Sequence, residues 1–463
     1  MQKNKGIHFE VSERKLLLLI FDLAFVLFGL YAIDLIFDIE YFQLTKQNWI
    51  WSLVLVIYLT TFGFVFELYD LKQASKLDST FKNVLLAVSV TVIFYFFTPI
   101  ITPFLPEKRI EFIYFYVVII AAILLWRWIY VSFIVSPRFY KRVLVVGEVS
   151  NIENIIKTIC VADPNYKVVG YVNTETDKNV VEYNDLEEFD TDNLDQTVKN
   201  SYISEIVVAI NNSKNITPAI YNQLILLLEK GFVIREYTQV FEEITKRVPV
   251  QFVGKDFYKH FPFSRSNQNK LYLFFHRVMD VVCAIIGLIV GMIFVPFIVI
   301  GNLIGNKGAL FYTQERVGKN GKPFRIIKYR TMVSDAEAQG AKWAVKNDIR
   351  VTPFGRFLRN SRLDEIPQFI NVLKGDMSII GPRPERPVFV KKLSQSILFY
   401  ETRHVVKPGL SGWAQVNTRY GASVEDSIEK LEFDLYYIKH RSFLLDINII
   451  IKTISTIVYY RGQ

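Results

Sequence analysis

Four long apolar stretches in the first 135 residues constrain the fold of this chain more than any other feature. They cover residues 15–37, 49–69, 81–101 and 110–135. A helix of about 20 residues crosses a ~30 Å hydrocarbon layer. Soluble cores rarely need four such runs, and the chain is 51% hydrophobic with a mean hydropathy of +0.23. The sequence therefore predicts a membrane protein that opens with four transmembrane helices.

The basic residues around these stretches predict their orientation. Nine Lys and Arg lie before the first stretch, after the second and after the fourth, against three on the opposite side. Cytoplasmic loops carry the excess of positive charge. We therefore expect the N-terminus and everything after the fourth helix to be cytoplasmic.

Strand-like and helix-like segments alternate after the four stretches. Short apolar runs at 142–147, 166–172, 204–210 and 232–237 are separated by helical patterns. This alternation predicts a parallel, Rossmann-like α/β domain, placed at 138–265. Its first turn, Gly147-Glu148-Val149-Ser150, lacks the G-x-G-x-x-G pattern, which argues against a dinucleotide site.

A fifth apolar run, at 281–301, contains Pro296 and has basic residues on both flanks. Proline lacks an N–H and clashes with the preceding turn, so it breaks or kinks a helix. Positive charge on both flanks suggests that both ends are cytoplasmic. We expect a re-entrant helix-break-helix within an anchor at 266–308; the alternative is an ordinary fifth span that tolerates the proline.

The segment after this run is strongly basic. Residues 309–384 hold 14 Lys and Arg against 7 Asp and Glu, a net charge of +7, and Asn320-Gly321 predicts a hairpin within it. Anionic headgroups would attract such a surface. Arginine forks also suit a phosphate or diphosphate substrate. A nucleic-acid partner is not expected directly after a membrane insertion.

An acidic pair stands inside this basic segment, in "RLDEIPQFINVLKGDMSIIGPRP" at 362–384. Pro367 suits the first turn of a helix and Gly375 suits its end, so Asp364 and Glu365 should lie at its N-terminus. There the helix dipole favours phosphate and should lower a carboxylate pKa, which keeps a nucleophilic oxygen ionised. The alternative is that Asp364 merely caps the helix.

Four motifs in order resemble the bacterial sugar transferase family, phosphoglycosyl transferases with a re-entrant membrane helix. They are "RVGKNGKPFRIIKYRTM", "LRNSRLDEIPQFINVLKGDMSIIGPRPERP", "KPGLSGWAQVN" and "FDLYYIKHRSFLLDINIIIKT". The N-terminal part resembles the large members that initiate exopolysaccharide or O-antigen synthesis, with four spans and a nucleotide-binding-like domain. The resemblance implies a mixed α/β catalytic domain at 309–463, on the cytoplasmic face of the bacterial inner membrane.

The resemblance also implies the reaction and its residues. Sugar 1-phosphate would pass from a UDP-sugar to undecaprenyl phosphate with release of UMP. Asp364 would be the nucleophile and a Mg²⁺ ligand, Glu365 would assist proton transfer or metal positioning, and Arg383 would contact phosphate. The break at Val295-Pro296 replaces the Ser-Pro that relatives often have. Our further candidates for phosphate binding are Arg316, Lys328, Arg330 and Arg362.

Two other classes of function stay open at this stage. One is a membrane-anchored scaffold or sensor with an inactive transferase domain, and the other is a nucleotide-sugar hydrolase. Glucose 1-phosphate is the first expectation for the transferred group, with galactose and N-acetylated sugars as alternatives. The resemblance is compatible with a homodimer. It does not indicate the role of the α/β domain or the polysaccharide pathway.

Overall fold

The structure is a computed structural model with two compact units, Met1–Thr245 and Lys246–Gln463. It describes residues 11–37, 48–75, 77–99, 101–104, 108–134, 140–163, 165–174, 186–190, 194–209, 217–250, 269–306, 308–333, 336, 340, 348–418 and 423–459. The predicted domain boundaries at 137 and 265 lie outside these residues.

The first unit begins with five helices. They are α1 (Val11–Phe37), α2 (Trp49–Val65), the one-turn α3 (Leu71–Ala74), α4 (Leu77–Phe96) and α5 (Arg109–Phe133). Helices α1, α4 and α5 are long and apolar enough to cross a membrane, while α2 has 17 residues, the lower end of the spanning range. The four predicted apolar helices are therefore present, and the second is shorter than expected.

Two buried ion pairs hold the first unit together. Arg127 of α5 donates to Asp22 of α1, and both side chains are almost fully enclosed. Arg14 of α1 donates to Asp163, which follows the first helix of the α/β domain. Because removing one partner leaves a buried charge alone, each pair fixes how the elements it joins are packed.

The rest of the first unit is the expected α/β domain. Its strands are β1 (Lys141–Gly147), β2 (Tyr166–Asn173), β3 (Glu187–Glu188), β4 (Glu205–Ala209) and β5 (Val233–Glu236). Its helices are α6 (Val149–Ala162), α7 (Leu194–Asn200), α8 (Pro218–Glu229) and α9 (Tyr237–Thr245). The strands are parallel in the order β3-β2-β1-β4-β5, which confirms the predicted parallel sheet.

The second unit begins with an irregular segment at 246–250 that packs on its core. The Val248 N–H donates to the Glu432 carbonyl over 3.1 Å, and the Trp413 indole donates to the Lys246 carbonyl over 3.0 Å. Arg247 pairs with Glu432. By these contacts the second unit starts well before residue 266, where the sequence placed its anchor.

The second unit is built from short elements around one long helix. Its helices are α10 (Lys270–Gly301), α11 (Pro353–Asn360), α12 (Gln368–Lys374), α13 (Pro387–Ser396), α14 (Trp413–Asn417), α15 (Val424–His440) and α16 (Phe443–Val458). Its strands are β6 (Phe311–Val317), β7 (Pro323–Tyr329), β8 (Ser378–Ile380) and β9 (Gly409–Ser411). Strands β6 and β7 form the predicted antiparallel hairpin, with Asn320 and Gly321 at positive φ in its turn.

Helix α10 corrects one prediction about the anchor. It runs without interruption from Lys270 to Gly301, with Pro296 inside it, and a π-helical turn at Asn302–Asn306 follows. The expected break into two helices at Pro296 is therefore wrong. A single proline removes one backbone hydrogen bond, and the remaining bonds of a long helix carry it past that point. The re-entrant path itself stays a prediction.

One face of α10 contacts the second unit along its whole length. Near its start, Tyr272 donates to Asp446 over 2.6 Å, and Asp280 accepts from Ser378 and from the Ile379 N–H, each over 2.8 Å. Further along, α10 presents glycines: an added Cβ would lie 2.5 Å from Phe369 at Gly287 and 2.6 Å from Ile366 at Gly291.

The opposite face of α10 is apolar and exposed. Its large exposed side chains include Phe274, Val282, Ile285, Ile289, Met292, Ile293, Phe297 and Ile300. Together with the π-helical turn, α10 forms a helix over Lys270–Asn306 that is also long and apolar enough to cross a membrane.

Candidate active site

The acidic pair lies in a tight turn that leads into α12. Leu363–Glu365 forms a 3₁₀ turn, preceded by Arg362 in the left-handed conformation (φ 59°). Pro367 stands directly before α12, and Gly375 ends the helix at φ 89°. The predicted helix and the placement of the pair before it are confirmed. Because α12 has no side-chain cap, the alternative that Asp364 caps it is wrong.

Three cations surround Glu365. Lys328 Nζ donates to Glu365 Oε1 over 3.0 Å and Arg383 Nη2 donates to the same oxygen over 3.1 Å. Arg362 Nη1 lies 3.9 Å from Oε2. Burial alone would raise the pKa of Glu365, but Lys328, Arg383 and Arg362 together outweigh it and hold the pKa well below its usual range. The three surrounding cations thus favour the ionised form of Glu365.

Asp364 stands in the opposite situation. Its side chain is 6% exposed, and no residue in the described part of the chain forms a hydrogen bond or ion pair with its carboxylate. Burial raises the pKa of Asp364 to about 6; Lys328 opposes the shift and Glu365 adds to it. The expectation that the helix N-terminus would lower this pKa is wrong for Asp364, because desolvation is the larger effect.

The structure brings three of the five candidate phosphate-binding residues together. Lys328, Arg362 and Arg383 converge on Glu365 and therefore lie beside Asp364. Arg316 instead donates to the Pro384 carbonyl over 3.1 Å, and Arg330 donates to the Asn306 carbonyl over 3.0 Å. These contacts place Arg316 behind the Pro-Arg-Pro segment and Arg330 beside the end of the anchor. Phosphate binding by all five stays a prediction.

The sequence interpretation missed two residues of the site. Arg359 of α11 donates through Nε to Thr331 over 2.9 Å, and its charge lowers the pKa of Asp364. Asn371 of α12 joins that helix to β7: its amide donates to the Arg325 carbonyl over 2.8 Å and accepts from the Ile327 N–H over 3.1 Å. The one sequence signal for Asn371 is a polar residue within an apolar helical turn.

The carboxylates suit magnesium only in part. No group of three or more His, Cys, Asp or Glu that could hold a metal occurs among the described residues. Glu365 is already occupied by cations, so Asp364 is the available carboxylate. Mg²⁺ is commonly bound through one or two carboxylates together with substrate phosphates and waters, a pattern that one free aspartate satisfies.

Two protein families match parts of this chain. Residues 271–460 match the family described as bacterial sugar transferase, and residues 65–218 match a family described as a CoA-binding domain. The first match contains the acidic pair, its three cations and all of α10 except its first residue. The second begins at the end of α2 and covers most of the α/β domain.

Three curated relatives show how far the similarity extends. UDP-N-acetylgalactosamine-undecaprenyl-phosphate N-acetylgalactosaminephosphotransferase of Aeromonas hydrophila is 41% identical over 48% of this chain and 51% of its own length. UDP-glucose:undecaprenyl-phosphate glucose-1-phosphate transferase of Escherichia coli (strain K12) is 40% identical over 38% of this chain and 39% of its own length. A protein of the same name from Caulobacter vibrioides is 35% identical over 39% of this chain and 69% of its own length. The chain thus spans about half or less of the first two relatives.

Proposed function

Because the chain belongs to the bacterial sugar transferase family, we propose that it transfers a sugar 1-phosphate from a UDP-sugar to undecaprenyl phosphate and releases UMP. The observation that carries this proposal is the contrast within the acidic pair. Glu365 is occupied by three cations, while Asp364 is buried and has no partner among the described residues. An unpaired carboxylate beside a basic cluster is suited to attack a phosphate held by that cluster.

In the first proposed step, an Asp364 oxygen attacks the phosphorus that carries the sugar. The bond from that phosphorus to the UMP oxygen breaks, UMP leaves with the electron pair, and a phosphosugar-aspartyl intermediate remains. Lys328, Arg362 and Arg383 lie where they can offset the charge on the phosphate oxygens.

In the second step, an oxygen of undecaprenyl phosphate attacks the same phosphorus. The bond to Asp364 breaks, which restores the carboxylate and yields a lipid diphosphate sugar. One site therefore serves the two substrates in turn. Glu365 is a poor proton acceptor in this scheme, because its ionised form is stabilised by three cations; we propose that it positions those cations.

Magnesium fits the same scheme as a cofactor. Asp364 would hold the ion together with substrate phosphates, and when bound it would offset charge on the leaving phosphate. Asp364 accepts no hydrogen bond from the described residues, whereas Glu365 Oε1 accepts two and Glu365 Oε2 lies 3.9 Å from Arg362.

Membrane attachment supports a lipid acceptor. Helix α10 exposes an apolar face along its length, and its Gly291 lies against Ile366, two residues from Asp364. A lipid phosphate stands at headgroup height, so a site held beside such a helix is placed to meet it. We propose that the protein is embedded in the lipids of the inner membrane and that its catalytic unit lies on the cytoplasmic face. A homodimer is a further proposal, which rests on the resemblance alone.

The donor sugar is narrowed to a class rather than a single compound. Relatives at 40% and 41% identity are named for glucose and for N-acetylgalactosamine, so identity does not favour the glucose expected from the sequence. We propose a UDP-hexose or a UDP-N-acetylhexosamine, used to start the assembly of an exopolysaccharide, capsule or O-antigen.

The test is UMP release from a panel of UDP-sugars by the purified full-length chain, with undecaprenyl phosphate and Mg²⁺. Wild type and Asp364→Asn are measured side by side, with and without the lipid. Lipid-dependent release that disappears in the variant supports the proposal and names the sugar. Release of free sugar phosphate without lipid would identify a hydrolase, and no release with any sugar would favour a scaffold or sensor.

A further inference from the structure

The Pro-Arg-Pro segment, residues 382–384, is held by hydrogen bonds to its carbonyl groups. Pro382 and Pro384 have no N–H, so the backbone around Arg383 is fixed largely through its carbonyl groups. Three successive carbonyls each accept a hydrogen bond. The donors are the Gly409 N–H to Pro382 (2.9 Å), Arg403 Nη2 to Arg383 (3.0 Å) and Arg316 Nη1 to Pro384 (3.1 Å).

Arg403 is itself fixed from behind. Its side chain is 6% exposed, and Nη2 also donates to Asp434 of α15 over 2.7 Å, while Nη1 donates to the Tyr400 hydroxyl over 2.7 Å. Asp434 is 1% exposed. Among the described residues, neither Arg403 nor Asp434 forms a hydrogen bond or ion pair with the acidic pair. Their connection to the site passes through the Arg383 carbonyl.

A small indentation of about 10 Å³ lies against Arg383, Arg403 and His404. Beside it, the hydrogen bond from Arg403 is the side-chain contact that holds the Arg383 carbonyl.

We propose that Arg403, held by Asp434 and Tyr400, is a positioning residue that keeps the Arg383 guanidinium on Glu365 and beside Asp364. The proposal rests on the proposed sugar-phosphate transfer. It makes α15, which contributes no residue to the acidic pair or its three cations, part of the apparatus that places a phosphate-binding group. A shift of about 1 Å in such a group is enough to lower a rate substantially.

The alternative is that Arg403 and Asp434 only stabilise the core. Buried ion pairs can often be replaced by apolar residues of similar volume without loss of stability. The double variant R403M/D434L in the full-length chain therefore separates the two roles. We expect a thermal midpoint close to that of wild type and a loss of at least about 10-fold in lipid-dependent UMP release, because the Arg383 carbonyl has lost its donor.

Coupling to Arg383 is the readout that a purely structural role would not produce. In an Arg383→Ala chain there is no guanidinium left to place, so adding R403M/D434L should lower kcat by less than about 2-fold. If R403M/D434L lowers kcat by the same factor in the wild-type chain and in the Arg383→Ala chain, the proposal is overturned. A folded double variant with full activity would also overturn it.

The chain offers a matched control on the same helix. Arg247 and Glu432 form another partly buried pair that involves α15, and neither contacts the Pro-Arg-Pro segment in the described residues. R247M/E432L should keep wild-type activity. If R403M/D434L does not fold, R403K is measured in both backgrounds, since a compact ammonium does not reproduce the planar fork whose two nitrogens reach Tyr400, Asp434 and the Arg383 carbonyl. An inactive wild type would refute the proposed function and not the role of Arg403. That outcome is known before any variant is compared.

Discussion

Replacing the Asp364 carboxylate by an amide should have opposite effects on the rate of transfer and on the stability of the fold. Asp364→Asn should abolish transfer, with a loss of more than about 1000-fold, as expected when a nucleophile is removed. The same change should stabilise the protein at pH 7.5 by up to about 3 kcal/mol, because the buried charge is gone. Thermal unfolding in detergent measures this. A destabilised variant would show that the Asp364 charge supports the fold.

The pH dependence of activity follows from the same residue. Burial raises the pKa of Asp364 to about 6, so the nucleophile is protonated and activity falls as pH drops through 6. Asp364 affects the stability of the fold in the opposite direction. Because its pKa is higher in the folded than in the unfolded state, Asp364 stabilises the protein below its unfolded pKa, and this contribution is lost as pH rises through 6. A profile of kcat/KM from pH 5 to 8 measures the acid limb.

Glu365→Gln tests how the two carboxylates are coupled. The Glu365 charge adds to the raised pKa of Asp364, so removing it should move the acid limb to lower pH. Activity at pH 7.5 should also fall, by about 10- to 100-fold, because three cations lose their anchor. Glu401→Gln, at an exposed acid of the same unit, should change neither. An acid limb that stays in place would contradict the assigned coupling.

At the scale of elements, Gly291 determines how closely the turn before α12 approaches α10. An added Cβ at Gly291 would lie 2.6 Å from Ile366, two residues from Asp364, so something must shift. Gly291→Ala should cost about 1–3 kcal/mol and lower kcat by about 10-fold. Met292→Ala changes the next residue, on the exposed face, and should have little effect on either. Equal effects of the two variants would contradict this packing argument.

Asn371 sets the distance between α12 and the strand that carries Lys328. Asn371→Leu would leave the Arg325 carbonyl and the Ile327 N–H without their partner, at a cost of about 2 kcal/mol. Because β7 would be free to move, the KM for the UDP-sugar should rise as well. Unfolding and initial-rate measurements check both effects. A stable variant with unchanged KM would show that Lys328 is positioned by other contacts.

Elements with local signals were predictable from the sequence. The α12 boundaries follow from Pro367 and Gly375, and the hairpin follows from Asn320-Gly321, because proline fixes φ while glycine and asparagine tolerate the positive φ that these ends and turns require. The partners of the cations were not predictable. Lys328 and Arg330 are two residues apart and share a strand face by periodicity, yet Arg330 lies beyond the end of β7 and bonds to Asn306. Arg403 and Asp434 gave no signal, since neither contact is local.

At the scale of the whole molecule, the structure revises where an active fragment should begin. The sequence placed the start of the anchor at residue 266, but the segment 246–250 packs on the second unit, and Val248 and Val250 are buried there. A fragment of 246–463 should be more stable than one of 270–463, by about 3 kcal/mol, because the shorter one loses the buried Val248 and Val250 side chains and the Arg247–Glu432 pair.

Both fragments are compared in membranes by thermal unfolding and UMP release. Arg247→Ala in the longer fragment should reproduce part of the loss, because it removes the partner of Glu432 alone. A shorter fragment that is equally stable would show that the segment 246–250 adds nothing to the unit. The same experiment tests the predicted division between the N-terminal part and the catalytic unit.

The exposed apolar face of α10 has a kinetic consequence for the proposed reaction. A nucleotide sugar reaches the site by diffusion through a volume, whereas an acceptor confined to one leaflet searches an area. The encounter frequency of the acceptor then depends on its mole fraction among the lipids and is insensitive to the volume of the surrounding buffer. Diluting vesicles with plain buffer should leave acceptor saturation unchanged, while diluting the acceptor with inert lipid should reduce it.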